Sequence, residues 1–86
     1  MDEAVAALVR SWMVKAQRDL EASERLSAGR DPLLDVAIFH YQQAAEKALK
    51  GFLTLHGMPL QRTHSIQMLL ELAQGLGANL PLDIED

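Results

Sequence analysis

Apolar residues recur at helical spacing along most of the chain, and glycine and proline residues divide it into three stretches. The first stretch runs from about residue 2 to residue 28, the second from about 32 to 56, and the third from about 64 to 75. Side chains three and four residues apart share one face of an α-helix, so each stretch predicts an amphipathic helix. The pattern therefore predicts an all-α fold, in which two long antiparallel helices and a shorter third form an incomplete up-and-down helical bundle.

Each predicted helix has an apolar stripe that we expect to form the core. The stripes are Val5, Leu8, Val9, Trp12, Ala16, Leu20 and Leu26 in the first helix, Leu34, Ile38, Tyr41, Ala45, Ala48 or Leu49 and Phe52 in the second, and Ile66, Leu69, Leu70 and Ala73 in the third. Asp31 and Pro32 suit the N-cap and first position of the second helix, and Gly57 suits its end. The chain is thus predicted to be one domain, with a core at about 2–76 and a tail at 77–86.

A polar strip is predicted on the side of the second helix opposite its apolar stripe. It contains His40, Gln43, Lys47, Lys50 and Thr54, with Glu46 at its edge, one turn before Lys50 in the favourable order for a helical ion pair. Two ammonium groups one turn apart, with an imidazole above them, can hold an anion. The alternative interpretation is a solvated outer face, which is what most charged helical strips are.

Two further polar residues stand out by their positions. Asp19 falls within the apolar stripe of the first helix, where a carboxylate needs a cation or several donors, so we predict a partner such as Lys47, Arg18 or a backbone group. The alternative is that Asp19 reaches solvent at the rim. His64 lies two residues after Arg62, at the start of the third helix. A histidine at this position more often caps the helix or packs against it than acts as a catalyst. We predict that Lys47, Lys50, Arg62 and His64 form one anion-accepting surface.

Composition narrows the function classes. The chain has 86 residues and no cysteine, which excludes disulfides and thiolate zinc sites within it. Its net charge of −4 disfavours non-specific binding to a phosphate backbone. The sequence contains no phosphate loop and no metal-ligand spacing, so we expect no cofactor, no metal and no assignable catalytic residue. The acidic start and the lack of a long apolar run predict a cytoplasmic protein. The apolar fraction of 49% on a short chain, with Phe39 off the main stripe, predicts a homodimer or heteromer.

The run FHYQQAAEKALK at Phe39–Lys50 closely resembles the signature of HEPN domains (higher eukaryotes and prokaryotes nucleotide-binding). Two flanking blocks agree with the family in order and spacing, and the resemblance covers about residues 12–72. The upstream block is Trp12, Ala16 and Asp19-Leu20, and the downstream block is Gly57 followed by Arg62-Thr63-His64.

The resemblance implies a helical bundle that is usually dimeric and often encoded beside a small nucleotidyltransferase, commonly as a toxin–antitoxin pair. Several branches of the family are metal-independent ribonucleases, in which histidine follows arginine by four to six residues. No arginine of this chain (10, 18, 25, 30 or 62) has a histidine at that spacing. The family usually continues into a fourth helix, so the resemblance implies a truncated form or one without the catalytic segment.

Three functions are therefore predicted. The first is an interaction module associated with nucleotide or RNA, at His40, Gln43, Lys47, Lys50, Arg62 and His64, and paired with a nucleotidyltransferase. The second is a ribonuclease with an atypical arginine–histidine pair formed across a dimer. The third is a purely structural dimerisation unit. The missing arginine–histidine spacing favours the first and third over the second.

Overall fold

The protein, described here by a computed structural model over residues 1–77, consists of three α-helices joined by two loops. Helix α1 spans Glu3–Ser27, α2 spans Leu34–Leu55 and α3 spans Ile66–Gly75. The prediction of an all-α fold with two long helices and a shorter third is confirmed. The predicted tail lies outside the described residues from position 78 onward. No helix in the described part of the chain combines the length and apolar character that crossing a membrane requires.

The helix ends follow local hydrogen bonding. Asp2 caps α1 by accepting a hydrogen bond from the backbone N–H of Ala4 at 2.7 Å, and Ser65 caps α3 in the same way. The prediction that Asp31 caps α2 is wrong, because α2 begins at Leu34 without a side-chain cap. The backbone N–H of Leu33 instead donates to the carbonyl of Leu26 at 2.8 Å, so the main chain itself closes the connection from α1.

Small residues of α2 let α1 approach closely along most of its length. Ala37 and Ala44 are buried against α1, and a Cβ atom on Gly51 would lie 3.2 Å from Cβ of Trp12. Helix α3 packs against the C-terminal half of α2 and does not contact α1. Its Leu69 and Ala73 form a small core with Leu53 of α2.

The predicted core stripe of α2 is wrong in its N-terminal half. Leu34, Ile38 and Tyr41 are 56%, 58% and 61% exposed, whereas Glu46 and Lys50 are buried. Helix α2 turns its alanine and glycine positions toward α1, because these small residues allow the closest approach and because the polar side chains beside them find partners. The bulky apolar residues are thereby rotated away from the interior of the described bundle.

Candidate functional site

Six ionisable side chains lie together along one edge of α2, and we call them the polar seam. They form two triads, each with one carboxylate, one lysine and one histidine. The first triad is Asp19, His40 and Lys47, and the second is Glu46, Lys50 and His64. Helix α1 supplies Asp19 and the loop before α3 supplies His64, while α2 supplies the other four residues. The seam therefore links all three helical segments through α2.

The first triad joins α1 to α2 through one carboxylate. Oδ1 of Asp19 lies 2.8 Å from Nδ1 of His40, and Oδ2 accepts a hydrogen bond from Nζ of Lys47. The side chain of Asp19 is largely buried, whereas those of His40 and Lys47 remain 32% and 26% exposed. The prediction that Asp19 has a partner, with Lys47 among the candidates, is confirmed. The contact with His40 was not predicted, because spacing within one helix says nothing about register across two.

The carboxyl group of Asp19 is held in its charged form. Burial on its own raises the pKa of Asp19, but the hydrogen bonds and charges of Lys47 and His40 outweigh burial, and the pKa is lowered from 3.8. An ionised carboxylate can only accept hydrogen bonds. Nδ1 of His40 must therefore be the donor of the bond to Asp19.

In the second triad, the carboxylate and the lysine are more deeply buried than those of the first, whereas the histidine is exposed. Oε2 of Glu46 accepts hydrogen bonds from Nζ of Lys50 at 3.0 Å and from Nδ1 of His64 at 2.9 Å. Glu46 and Lys50 are only 5% and 7% exposed, and Nζ of Lys50 lies 5.6 Å from the centre of the Trp12 ring. The predicted Glu46–Lys50 pair is confirmed. Burial raises the pKa of Glu46, yet the hydrogen bonds from His64 and Lys50 outweigh it and lower the pKa from 4.5.

The structure divides the predicted site residues into three groups. His40, Gln43 and Lys47 reach the surface on one side of α2, at intervals of about one helical turn. Lys50 lies inside the second triad rather than on a solvated strip, so the alternative of a fully solvated outer face is wrong for this position. His64 is exposed but bound to Glu46. Within residues 1–77 the side chain of Arg62 has no hydrogen bond or ion pair, and it is exposed.

The remaining strip residue, Thr54, has a local role. Its hydroxyl donates to the backbone carbonyl of Lys50 at 2.7 Å, one turn earlier in α2. This bond satisfies the threonine within its own helix and leaves it outside both triads.

A second surface was not predicted as such. An open groove of about 410 Å³ runs between α1 and α2 and is lined by Met13, Ala16, Gln17, Leu20, Tyr41, Ala44, Ala45 and Ala48. Leu34 and Ile38 lie on the same side of α2 as Tyr41, so the groove continues into exposed apolar side chains. We call Met13, Leu20, Leu34, Ile38 and Tyr41 the apolar face. The helical stripe in the sequence shows that Leu34, Ile38 and Tyr41 share one side of α2, but periodicity alone does not distinguish a core from an exposed face.

Comparison with known proteins agrees with the resemblance. The family model for the HEPN domain matches residues 9–86, a range that contains the whole polar seam and the apolar face. No curated protein and no solved structure matches the chain.

Proposed function

This chain belongs to the HEPN domain family, a family of nucleotide- and RNA-associated helical modules, and on that premise we propose that it is an interaction module whose apolar face binds protein. The observation that carries the proposal is the exposure of Leu34, Ile38 and Tyr41 beside the groove. Contiguous exposed apolar side chains on a small domain mark interaction sites, because leaving them in water is unfavourable.

We propose that a second copy of the chain covers the apolar face. HEPN domains commonly dimerise, and both long helices contribute to the face, α2 through Leu34, Ile38 and Tyr41 and α1 through Met13 and Leu20. A two-fold pairing brings the same face of each copy together, so one apolar stripe suffices to build the whole interface. The small side chains of Ala44, Ala45 and Ala48 line the groove and leave room for bulky side chains of the second copy.

We further propose that the dimer is the partner of a small nucleotidyltransferase in a toxin–antitoxin-type pair. The resemblance to HEPN modules supports this pairing. His40, Gln43 and Lys47 are proposed as the contact for nucleotide or RNA, because these three polar residues reach the surface together on one side of α2. Co-expression with a nucleotidyltransferase encoded beside the chain tests the pairing, and separate elution of the two proteins would contradict it.

The sequence favours this module over the ribonuclease alternative. No arginine of the chain is followed by a histidine after four to six residues, the spacing found in the family's nucleases. Within one copy of the chain, Arg62 makes no hydrogen bond to His64.

Sedimentation equilibrium tests the proposed interface. We expect the wild-type chain to be dimeric at tens of micromolar, and Ile38→Glu to be monomeric with unchanged helical circular dichroism. Met68→Glu is the matched control, because Met68 is also exposed and apolar but lies on α3, away from the apolar face. A monomeric wild type, or equal weakening by both substitutions, would overturn the proposed interface.

A further inference from the structure

The first triad fixes which nitrogen of His40 carries the proton. Nδ1 of His40 donates to Asp19, so in the neutral ring the other nitrogen, Nε2, carries a lone pair instead of a proton. Among residues 1–77, Nε2 has no hydrogen-bond partner, and the side chain is about one-third exposed. A neutral His40 thus presents an acceptor to solvent and repels an anion. Protonation converts Nε2 into a charged donor.

The charges around His40 also favour binding of an anion only after the ring is protonated. The charged groups that join it in the first triad are Asp19 from α1 and Lys47 from its own helix, and these two offset each other. The ring also meets the edge of Phe39 on α2, which adds no charge. Lys15, one turn before Asp19 on α1, has its ammonium 5.8 Å from the centre of the Trp12 ring. The triad itself is electrically neutral until His40 takes up a proton.

Surface access is suited to a small anion. Lys47 is 26% exposed and retains donors beyond its bond to Asp19, since an ammonium group has three. Gln43 lies between His40 and Lys47 on the same side of α2, and its side chain has no partner among residues 1–77. Its amide adds a neutral donor that does not change with pH. Together these groups can surround one phosphate with three donors.

We propose that His40, Gln43 and Lys47 form a proton-gated site for phosphate esters, which binds the anion when Nε2 of His40 takes up a proton from solvent. The inference rests on the proposed association with nucleotide or RNA for its choice of ligand, and it adds the control by pH. No covalent bond is made or broken: the proton and the anion bind together and leave together. Asp19 is a positioning residue, because it fixes the tautomer and is too buried to meet the ligand.

The other two histidines of the chain do not form an equivalent anion site. His64 is also held by a carboxylate through Nδ1, but its companion Lys50 is buried against Trp12 and cannot reach a ligand. His56 stacks against Phe52 with ring centres 4.5 Å apart and has no carboxylate partner among residues 1–77. His64→Gln and His56→Gln are therefore controls for a general effect of histidine protonation.

The test is a calorimetric titration with sulfate and with a diribonucleoside monophosphate, two anions whose charge stays constant between about pH 5.5 and about pH 8, the range in which histidines titrate. At constant ionic strength we expect the affinity for both to fall at least about tenfold across this range, since binding is linked to one proton. Repeating the titration in buffers of different ionisation enthalpy should show an uptake that approaches one proton per anion near pH 8 and becomes small near pH 5.5, where the free ring already carries the proton. His40→Gln should bind weakly and without dependence on pH, while His56→Gln and His64→Gln behave as the wild type.

Each other outcome is decisive. Affinity that does not change with pH in the wild type, or a dependence on pH that persists in His40→Gln, would overturn the proton gate. Binding of the diribonucleoside monophosphate without sulfate would mean that the base or sugar, and not the phosphate, is recognised. Failure of both anions to bind at any pH would overturn the proposed anion site. It would not affect the proposed apolar interface, which sedimentation tests separately. Proton uptake that persists in His56→Gln and His64→Gln assigns the proton to His40 among the three histidines, even if His40→Gln is unstable.

Discussion

At the scale of the residue, Asp19 is the most consequential side chain, because one carboxylate joins two helices. Its oxygens accept from Lys47 and from His40, which lie two turns apart on α2. Truncation leaves two cationic or polar groups without their shared acceptor, which is more costly than losing the pair as a whole. We expect Asp19→Ala to lower the free energy of unfolding by about 2–3 kcal/mol, somewhat less than for a fully buried pair because His40 and Lys47 are partly solvated.

Urea unfolding measures this loss. Glu21→Ala is the control, because Glu21 is an exposed carboxylate on the same helix, and a change within about 0.5 kcal/mol is expected there. A loss for Asp19→Ala below about 1 kcal/mol would mean that Asp19 contributes no more than a surface ion pair.

The two buried carboxylates also predict how stability depends on pH. Their pKa values in the folded protein are lowered from 3.8 for Asp19 and from 4.5 for Glu46. Because these pKa values are lowered in the folded protein, the unfolded chain takes up protons at a higher pH than the folded chain. The stabilisation is therefore complete above the pKa values of the unfolded chain and is lost as the pH falls through those of the folded chain. We expect the urea midpoint to decline steadily below about pH 5. The decline should be shallower for Asp19→Asn/Glu46→Gln and unchanged for Glu21→Gln/Glu24→Gln, and a wild-type midpoint that stays constant in acid would contradict the account.

The pairing of polar side chains could be predicted from the sequence only where the pattern that indicates it lies within one helix. The Glu46–Lys50 pair follows from a spacing of four, and Asp19 stood out because it interrupts an apolar stripe. The burial of Glu46 could not be predicted, since a Glu–Lys pair at that spacing is ordinarily solvated. Its burial depends on His64, which comes from another segment and supplies the second hydrogen bond.

At the scale of the element, Gly51 sets the distance between α1 and α2. A Cβ at this position would lie 3.2 Å from Cβ of Trp12 and closer still to the terminal methyl of Met13. Alanine is the better helix former, by about 1 kcal/mol, but the crowding requires the two helices to separate slightly or Met13 to move. We expect Gly51→Ala to lose about 1 kcal/mol of stability in spite of its helix propensity.

Gly75 offers the matched comparison for this substitution. An added Cβ on Gly75 would meet no atom of residues 1–77 within 4 Å, so Gly75→Ala should be neutral or stabilising by up to about 1 kcal/mol. Thermal unfolding of the two variants measures the difference. Equal stability of Gly51→Ala and Gly75→Ala would show that the close approach of the helices carries no energetic weight.

The number, order and approximate bounds of the helices could be predicted from the sequence, whereas the rotation of α2 could not. Periodicity shows that Leu34, Ile38 and Tyr41 share a face, but not which face meets α1. Small residues decide the matter here, because alanine and glycine allow close helix packing and the polar side chains beside them are satisfied. A hydrophobic stripe on a short chain is therefore equally typical of an interface and of a core.

At the scale of the whole molecule, the two surfaces of α2 have separate roles in our account. The polar seam closes the bundle and presents His40 and Lys47, with Gln43 beside them, while the apolar face lies on another side and is proposed to bind a second copy. With α3 packed only on the C-terminal half of α2, the N-terminal half of that helix keeps its bulky apolar residues exposed. The proposed dimerisation through this half would offset the small core that the three described helices form.

The central claim is that the apolar face is covered by another copy of the chain, and isotope-filtered nuclear Overhauser measurements on a mixed sample test it most directly. One copy carries ¹³C and the other does not, so that only contacts between copies are observed. The account predicts such contacts from the side chains of Met13, Leu34, Ile38 and Tyr41. Contacts confined to exposed apolar residues elsewhere, such as Leu60 and Met68, or no contacts between copies at tens of micromolar, would contradict it.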